Sequence, residues 1–338
     1  MPQRPVVARP GPLRGVAAVL SVALAFALAG CSQVELARLY VANNGTEARL
    51  AQPLPVTLPF RDEDGWIVVQ GRVGDSEPVD FVIDTGASML AILTGPRTEG
   101  LPLDLANAHR LGAEGDLAAP FAAPQSGLDL AFGPLTLLDQ TVLAIPLQSL
   151  KCEGEETPDP PFVGVIGHEL LHRYVVEVNY DRREVTLHDP GTWTYRGSGT
   201  VVPVDISGRQ PFVQAQVASP QGARYEARLH VDSGAGIDLS LFPRTHPAIV
   251  VPDTGATDGG CFVGGLATYR TGNSVDLRLG DAAAVNTPAS YALDKEVIDD
   301  GQNGRLGARF LRRYNVVFDY ARERMILEPR TQALAAGD

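Results

Sequence analysis

From Arg173 onward the chain repeats itself. Arg173, Tyr174, Val176, Tyr180, Arg182 and Leu187 recur as Arg313, Tyr314, Val316, Tyr320, Arg322 and Leu327, at a constant offset of 140 residues. Just upstream of each stretch stands a matching run, Gly164-Val165-Ile166-Gly167-His168-Glu169-Leu170-Leu171 and Gly304-Arg305-Leu306-Gly307-Ala308-Arg309-Phe310-Leu311. Farther upstream, Phe81 to Ser88 and Leu229 to Ala235 each place an aspartate after apolar residues and before a Ser/Thr-Gly-Ala turn. A period this long specifies two copies of a domain-sized unit rather than a solenoid of short repeats. The copies run from about Val56 to Pro190 and from about Thr200 to Pro329.

Within each copy the pattern reads as β. Ile67 to Val73 and Phe212 to Val217 have strand character, and turn signals follow at Gly74-Asp75-Ser76 and Ser219-Pro220-Gln221-Gly222. These lead into strands that end at Asp84 and Asp232. Each copy should close with a short helical turn after its second glycine and then a hairpin, in the second copy Tyr314 to Tyr320, a turn at Ala321 to Arg324, and Met325 to Glu328.

These motifs resemble the aspartic proteases, in a two-lobed form whose lobes are each similar to bacterial retropepsin-like domains. The resemblance rests on Asp84-Thr85-Gly86, Asp232-Ser233-Gly234, Val165-Ile166-Gly167 and Arg305-Leu306-Gly307, and covers most of the chain after its amino-terminal segment. It implies an all-β acid-protease (pepsin-like) fold with the active site in the cleft between lobes at 56–195 and 200–330, followed by a tail at 331–338. It also implies that Asp84 and Asp232 are the catalytic pair, with Thr85 and Ser233 bracing the two loops and Gly86 and Gly234 shaping them. Arg305 departs from the pattern, which has an apolar residue there.

The chemistry explains the need for two aspartates. Carboxylates about 3 Å apart share a proton and titrate as a coupled pair. One can then take a proton from water while the other protonates the scissile carbonyl, with no metal, cofactor or covalent intermediate required. Where pepsin-like members often carry a hydroxyl after the glycine, this chain has Ala87 and Ala235. Losing a hydrogen bond to the ionised form raises a carboxyl pKa, so activity is expected nearer neutral pH than pepsin's acidic range. His230, two residues before Asp232 and on the same strand face, would bias the proton's location if it were a cation; it reads equally as a hydrogen-bonded residue at a strand end. No tyrosine lies between Ser88 and Val163 to cap the site. The flap candidates are therefore Leu111-Gly112-Ala113-Glu114-Gly115 and Val263-Gly264-Gly265-Leu266, glycine-bearing tips suited to mobile lids.

One motif points elsewhere. His168-Glu169-Leu170-Leu171-His172 spells H-E-x-x-H, the zinc-peptidase pattern that sets two ligands on one helical face. It needs a sustained helix and a third ligand, whereas Tyr174 to Val178 reads as strand and the second copy carries Ala308, Arg309 and Arg312 at the three chemical positions. A short surface helix is the expectation there, with no metal.

The amino terminus sets the compartment. Arg4, Arg9 and Arg14 precede an apolar run from Val16 to Ala27, ending in Leu28-Ala29-Gly30-Cys31. This reads as a signal peptide over 1–30, too short and too small-residue-terminated for a stable span. Its end resembles a bacterial lipobox, which implies lipid on Cys31, a tether at 31–55, and an anchored protein of the cell envelope; Ser32 implies the outer membrane. The net charge of -12 becomes -15 when the signal's three arginines leave, which argues against nucleic acid as a partner. Cys152 and Cys261 are the other two of three cysteines; both a disulfide and two lone thiols are compatible with the sequence.

Three functions compete on these residues: an aspartic endopeptidase acting on exported polypeptides, a non-catalytic peptide-binding protein on the same scaffold, and a zinc peptidase through His168, Glu169 and His172. Both copies keep an aspartate that a binding module would not need, which favours the first. With both aspartates in one chain, a monomer suffices.

Overall fold

A computed structural model of the chain describes residues 34–111, 121–150, 159–220, 222–262, 265–293 and 301–331. The described residues are mostly β and form three sheets of nine, six and ten strands. The amino-terminal segment with Cys31, the tail at 332–338 and Cys152 lie outside the described residues, so the lipid and disulfide expectations do too. Among the described residues, no helix is long and apolar enough to cross a membrane.

The nine-stranded sheet comes from the first copy and the ten-stranded sheet from the second, and their centres are built alike. In the first, Gly164–Ile166 runs parallel to Val79–Ile83 and antiparallel to Ala91–Thr94, while Trp66–Val73 flanks Val79–Ile83 on its other side. In the second, Gly304–Gly307 runs parallel to Arg224–Asp232 and antiparallel to Leu239–Leu241, with Gln210–Ala218 outside. The apolar-apolar-Gly runs thus lie directly beside the strands that end at the two aspartates. Their glycines are required by space: a Cβ on Gly164 would enter the Phe81 ring, and one on Gly307 would meet the Ala235 carbonyl.

The six-stranded sheet belongs to both copies. Its order is Thr200–Pro203, Arg324–Pro329, Tyr314–Asp319, Val175–Asn179, Glu184–His188 and Val56–Pro59. At its centre Val175–Asn179 pairs antiparallel with Tyr314–Asp319, setting Val176 opposite Phe318, Glu177 opposite Val317 and Val178 opposite Val316. Glu177 and Val317 are themselves duplicates, so a local two-fold axis passes between them and relates the halves. Buried Val176, Val178, Val316 and Phe318 from this sheet join a core that also holds Phe81, Ile83, Leu229 and Val231 from the larger sheets.

The expected tether at 31–55 is corrected in part. Residues 34–41 are helical, and Ala48–Leu50 pairs as an edge strand with Leu135–Pro146. Asn43 is buried; its side chain donates to the Thr141 carbonyl at 2.9 Å and to Glu169 at 3.1 Å and accepts the Thr141 amide at 2.7 Å. Arg173 adds a bond to the Thr46 carbonyl at 2.9 Å. The first asparagine of the Asn43-Asn44-Gly45 turn thus supplies both a donor and an acceptor to the neighbouring strand. The first half therefore begins before residue 56.

Candidate active site

Asp84 and Asp232 meet at the local two-fold axis. Each glycine amide donates to Oδ1 of the aspartate two residues before it, Gly86 to Asp84 at 2.7 Å and Gly234 to Asp232 at 3.0 Å. The Gly234 amide also reaches Asp84 Oδ1 at 3.1 Å, so one amide serves both carboxyls. A Cβ on Gly86 would stand 2.7 Å from the Asp232 carboxyl carbon, and one on Gly234 would be closer still to that of Asp84. Only glycine permits this approach.

The loops are locked crosswise. The Thr85 amide donates to Ser233 Oγ and the Ser233 amide to Thr85 Oγ1, both at 2.9 Å. Each hydroxyl then donates across to the opposite strand, Thr85 to the Val231 carbonyl at 2.6 Å and Ser233 to the Ile83 carbonyl at 2.8 Å. Both side chains are completely buried.

A second crossed pair was not read from the sequence. Trp66 Nε1 donates to the Gly234 carbonyl at 2.8 Å, and Gln210 Nε2 donates to the Gly86 carbonyl. The two occupy the same place in their sheets, at the first position of equivalent strands. Their identities differ, which hid the relation; the signal was the shared run Val69-Gln70 and Val213-Gln214 that aligns those strands.

The electrostatics are unequal. Burial, followed by the charge of Asp232, pushes Asp84 well above the ordinary carboxylate range. Burial pushes Asp232 up as well, but Arg305, His230 and the bonds from Asp84 and Gly234 outweigh it and hold Asp232 below that range. Arg305 Nε lies 3.2 Å from Asp232 Oδ2, at ion-pair distance though without hydrogen-bond alignment. Asp84 is therefore the member of the pair that favours its proton. The expectation that His230 might act as the biasing cation is revised: burial lowers His230 to about 4, so it is uncharged near neutrality. The permanent cation is Arg305, the residue that broke the sequence pattern. The Tyr320 hydroxyl is enclosed without a hydrogen-bond partner among the described residues, and burial, then the charge of Asp84, raise its pKa.

Other sequence-predicted features fall as follows. Ala87 and Ala235 anchor the short helices through their carbonyls, which accept the His168 and Ala308 amides at 3.1 and 2.7 Å. Gly112–Gly115 and Val263-Gly264 lie outside the described residues; the strands on either side of the second candidate, Thr257–Phe262 and Gly265–Thr271, pair antiparallel. The H-E-x-x-H segment is a single turn, His168–Leu171, followed by the strand Val175–Asn179. Its histidine rings stack at 4.7 Å, while Glu169 is buried against Asn43. Among the described residues no group of three or more metal-ligating side chains is present. In the second copy the corresponding Arg309 and Arg312 bind Asp64, at the turn before Trp66, at 2.6 and 3.1 Å. That turn approaches so closely that a Cβ on Gly65 would stand 2.7 Å from the Ala308 carbonyl carbon.

Two clefts, of about 520 and 420 Å³, lie elsewhere, one lined by Leu58, Arg61 and Gly71 and the other by Gln216, Tyr225 and Arg278. Neither includes an aspartate of the pair. The chain matches no protein-family model and no curated protein sequence.

Proposed function

We propose that the chain is an aspartic endopeptidase of two-lobed, pepsin-like architecture, built of two retropepsin-like halves. The observation that carries this reading is the Asp84–Asp232 contact, in which both carboxyls accept from a single shared amide, with Asp84 pushed above and Asp232 held below the ordinary carboxylate range. A structural pair of aspartates would not need to be buried together at this electrostatic penalty.

The chemistry follows from that difference. Asp232, as carboxylate, takes a proton from a water lying between the pair, and the oxygen of that water bonds to the scissile carbonyl carbon. Asp84 gives its proton to the carbonyl oxygen, so the tetrahedral species is a neutral diol. Its collapse breaks the carbon–nitrogen bond, the nitrogen leaves with the proton from Asp232, and Asp84 recovers one from the diol. The Thr85–Ser233 lock keeps both carboxyls in place throughout, which is the preorganisation such a step requires.

The substrate class is polypeptide, and both carboxyls come from one chain, so one copy completes the site. The reading extends to a cell-envelope protein anchored by lipid on Cys31, checked by loss of fatty-acid labelling in Cys31→Ser. One observation favours the alternative of a non-catalytic peptide-binding protein: Arg305 beside Asp232 lowers the basicity of the group that must deprotonate water. Hydrolysis of a diverse peptide library from pH 3 to 8 separates the two. Cleavage lost in both Asp84→Asn and Asp232→Asn and unaffected by a chelator supports the peptidase, whereas no cleavage at any pH supports the binding protein.

A further inference from the structure

Beside each aspartate a row of residues crosses five strands in register, and the two rows differ in chemistry. In the first half it reads Val68, Val82, Val165, Ala91 and Leu143. The equivalent row in the second half is Phe212, His230, Arg305, Ser240 and Ser290. Val82 and His230 each precede their aspartate by two residues and so share its strand face. The first row packs into an apolar cluster with Leu93, Ala122 and Phe162.

The second row holds polar atoms that the fold leaves unpaired. Among the described residues, His230 Nε2, Arg305 Nε and Ser240 Oγ are all enclosed without a hydrogen-bond partner, on three adjacent strands. His230 and Ser240 are each only 3% exposed. Enclosed polar groups are normally satisfied, so three neighbours in one row mark a place completed by something else. Arg305 is the accessible member, with its side chain 31% exposed. Its guanidinium carries five donors, and its one ion-pair partner among the described residues is Asp232. With Nε toward Asp232, the two terminal nitrogens remain for an incoming acceptor. The neighbouring cation Arg228 is already committed, to Asp205 at 2.7 Å and over the Phe212 ring at 3.7 Å.

We propose that this row is a specificity subsite, which receives an Asp or Glu side chain of the polypeptide on one side of the scissile bond. The inference rests on the peptidase reading and deepens it. A carboxylate fits because it only accepts, and can take both terminal donors of a guanidinium at once. An amide would turn its NH₂ toward a group that is itself only a donor. The apolar row beside Asp84 offers no counterpart, so the two sides of the substrate are read differently.

The test uses the full chain carrying Asp84→Asn, which keeps Arg305 and Asp232 but should not cleave. Peptide libraries with one central position fixed as Glu, Gln or Leu are compared by equilibrium binding. The Glu library should bind roughly 10-fold or more tightly than the other two. Adding Arg305→Val, the first-half type of residue, should abolish that preference while the Leu library still binds, which also shows that the variant is folded. Arg305→Lys should retain part of it. Equal binding of the three libraries, or a preference untouched by Arg305→Val, overturns the subsite. Hydrolysis by the unmodified chain is measured in parallel. A Glu preference without hydrolysis refutes the peptidase and leaves the subsite, and hydrolysis without a Glu preference does the reverse.

Discussion

Thr85 and Ser233 each accept the backbone amide of the other at 2.9 Å, so neither aspartate loop is complete without the opposite half of the chain. Thr85→Ala removes the acceptor for the Ser233 amide and the donor to the Val231 carbonyl, both fully buried. Unpaired groups of this kind cost about 1–3 kcal/mol each, so unfolding free energy should fall by about 3 kcal/mol. Thr85→Ser keeps both bonds and should lose only about 0.8 kcal/mol for one methyl. Denaturant titration of the two variants checks the difference; equal losses would mean that the hydroxyl bonds are not what matters.

Gly86→Ala tests the closeness of the pair. Its Cβ would stand 2.7 Å from the Asp232 carboxyl carbon, below any ordinary contact distance, and the loop cannot yield without breaking the Thr85–Ser233 lock. Peptide hydrolysis should fall by about 10²-fold or more, the range expected when a general acid or base is displaced. Retained circular dichroism would show that the sheets survive. Near-normal hydrolysis in this variant would be incompatible with a working Asp84–Asp232 pair.

The pair and its lock were legible because the duplication displays each motif twice, and agreement between copies is a stronger signal than either motif alone. The hairpins and single helical turns after Gly167 and Gly307 were readable for the same reason. What was not legible lay where the copies diverge. Trp66 and Gln210 do equivalent work with unlike side chains, and Asn43 serves the strand Leu135–Pro146 from inside a sequence that looks like linker. Arg305 stood out as an exception, but its bearing on Asp232 depends on register between strands whose paired residues are 75 apart in sequence, which no local pattern encodes.

Asp84 also leaves a mark on stability. Its folded pKa is raised by burial and by Asp232, so above the ordinary carboxylate range the native state retains a proton that the unfolded chain has released. Stability associated with Asp84 is therefore greatest in acid and is lost as pH rises toward its folded pKa. Asp84→Asn cannot ionise and escapes this loss. The melting temperature of the variant relative to the unmodified chain should climb from pH 4 to pH 7 while hydrolysis is abolished. A gap that shrinks over that range would place the proton on the other aspartate.

Arg305 should set the acid limit of activity. In the proposed mechanism hydrolysis requires ionised Asp232, so the acid limb of kcat/KM would report its protonation and the alkaline limb loss of the proton from Asp84. Arg305 is the foremost influence holding Asp232 low against burial; His230, neutral above about 4, cannot replace it there. In Arg305→Leu, burial acts unopposed by a permanent cation, Asp232 binds its proton more readily, and the acid limb moves to higher pH. Arg305→Lys keeps a cation and should leave that limb closer to its original position. The unmodified chain should show a broad plateau, bounded below by the lowered Asp232 and above by the raised Asp84, which reaches toward neutrality as the alanines after Gly86 and Gly234 led us to expect. Comparison of the three pH profiles decides the point, because a merely structural arginine would lower the whole curve without displacing its acid limb.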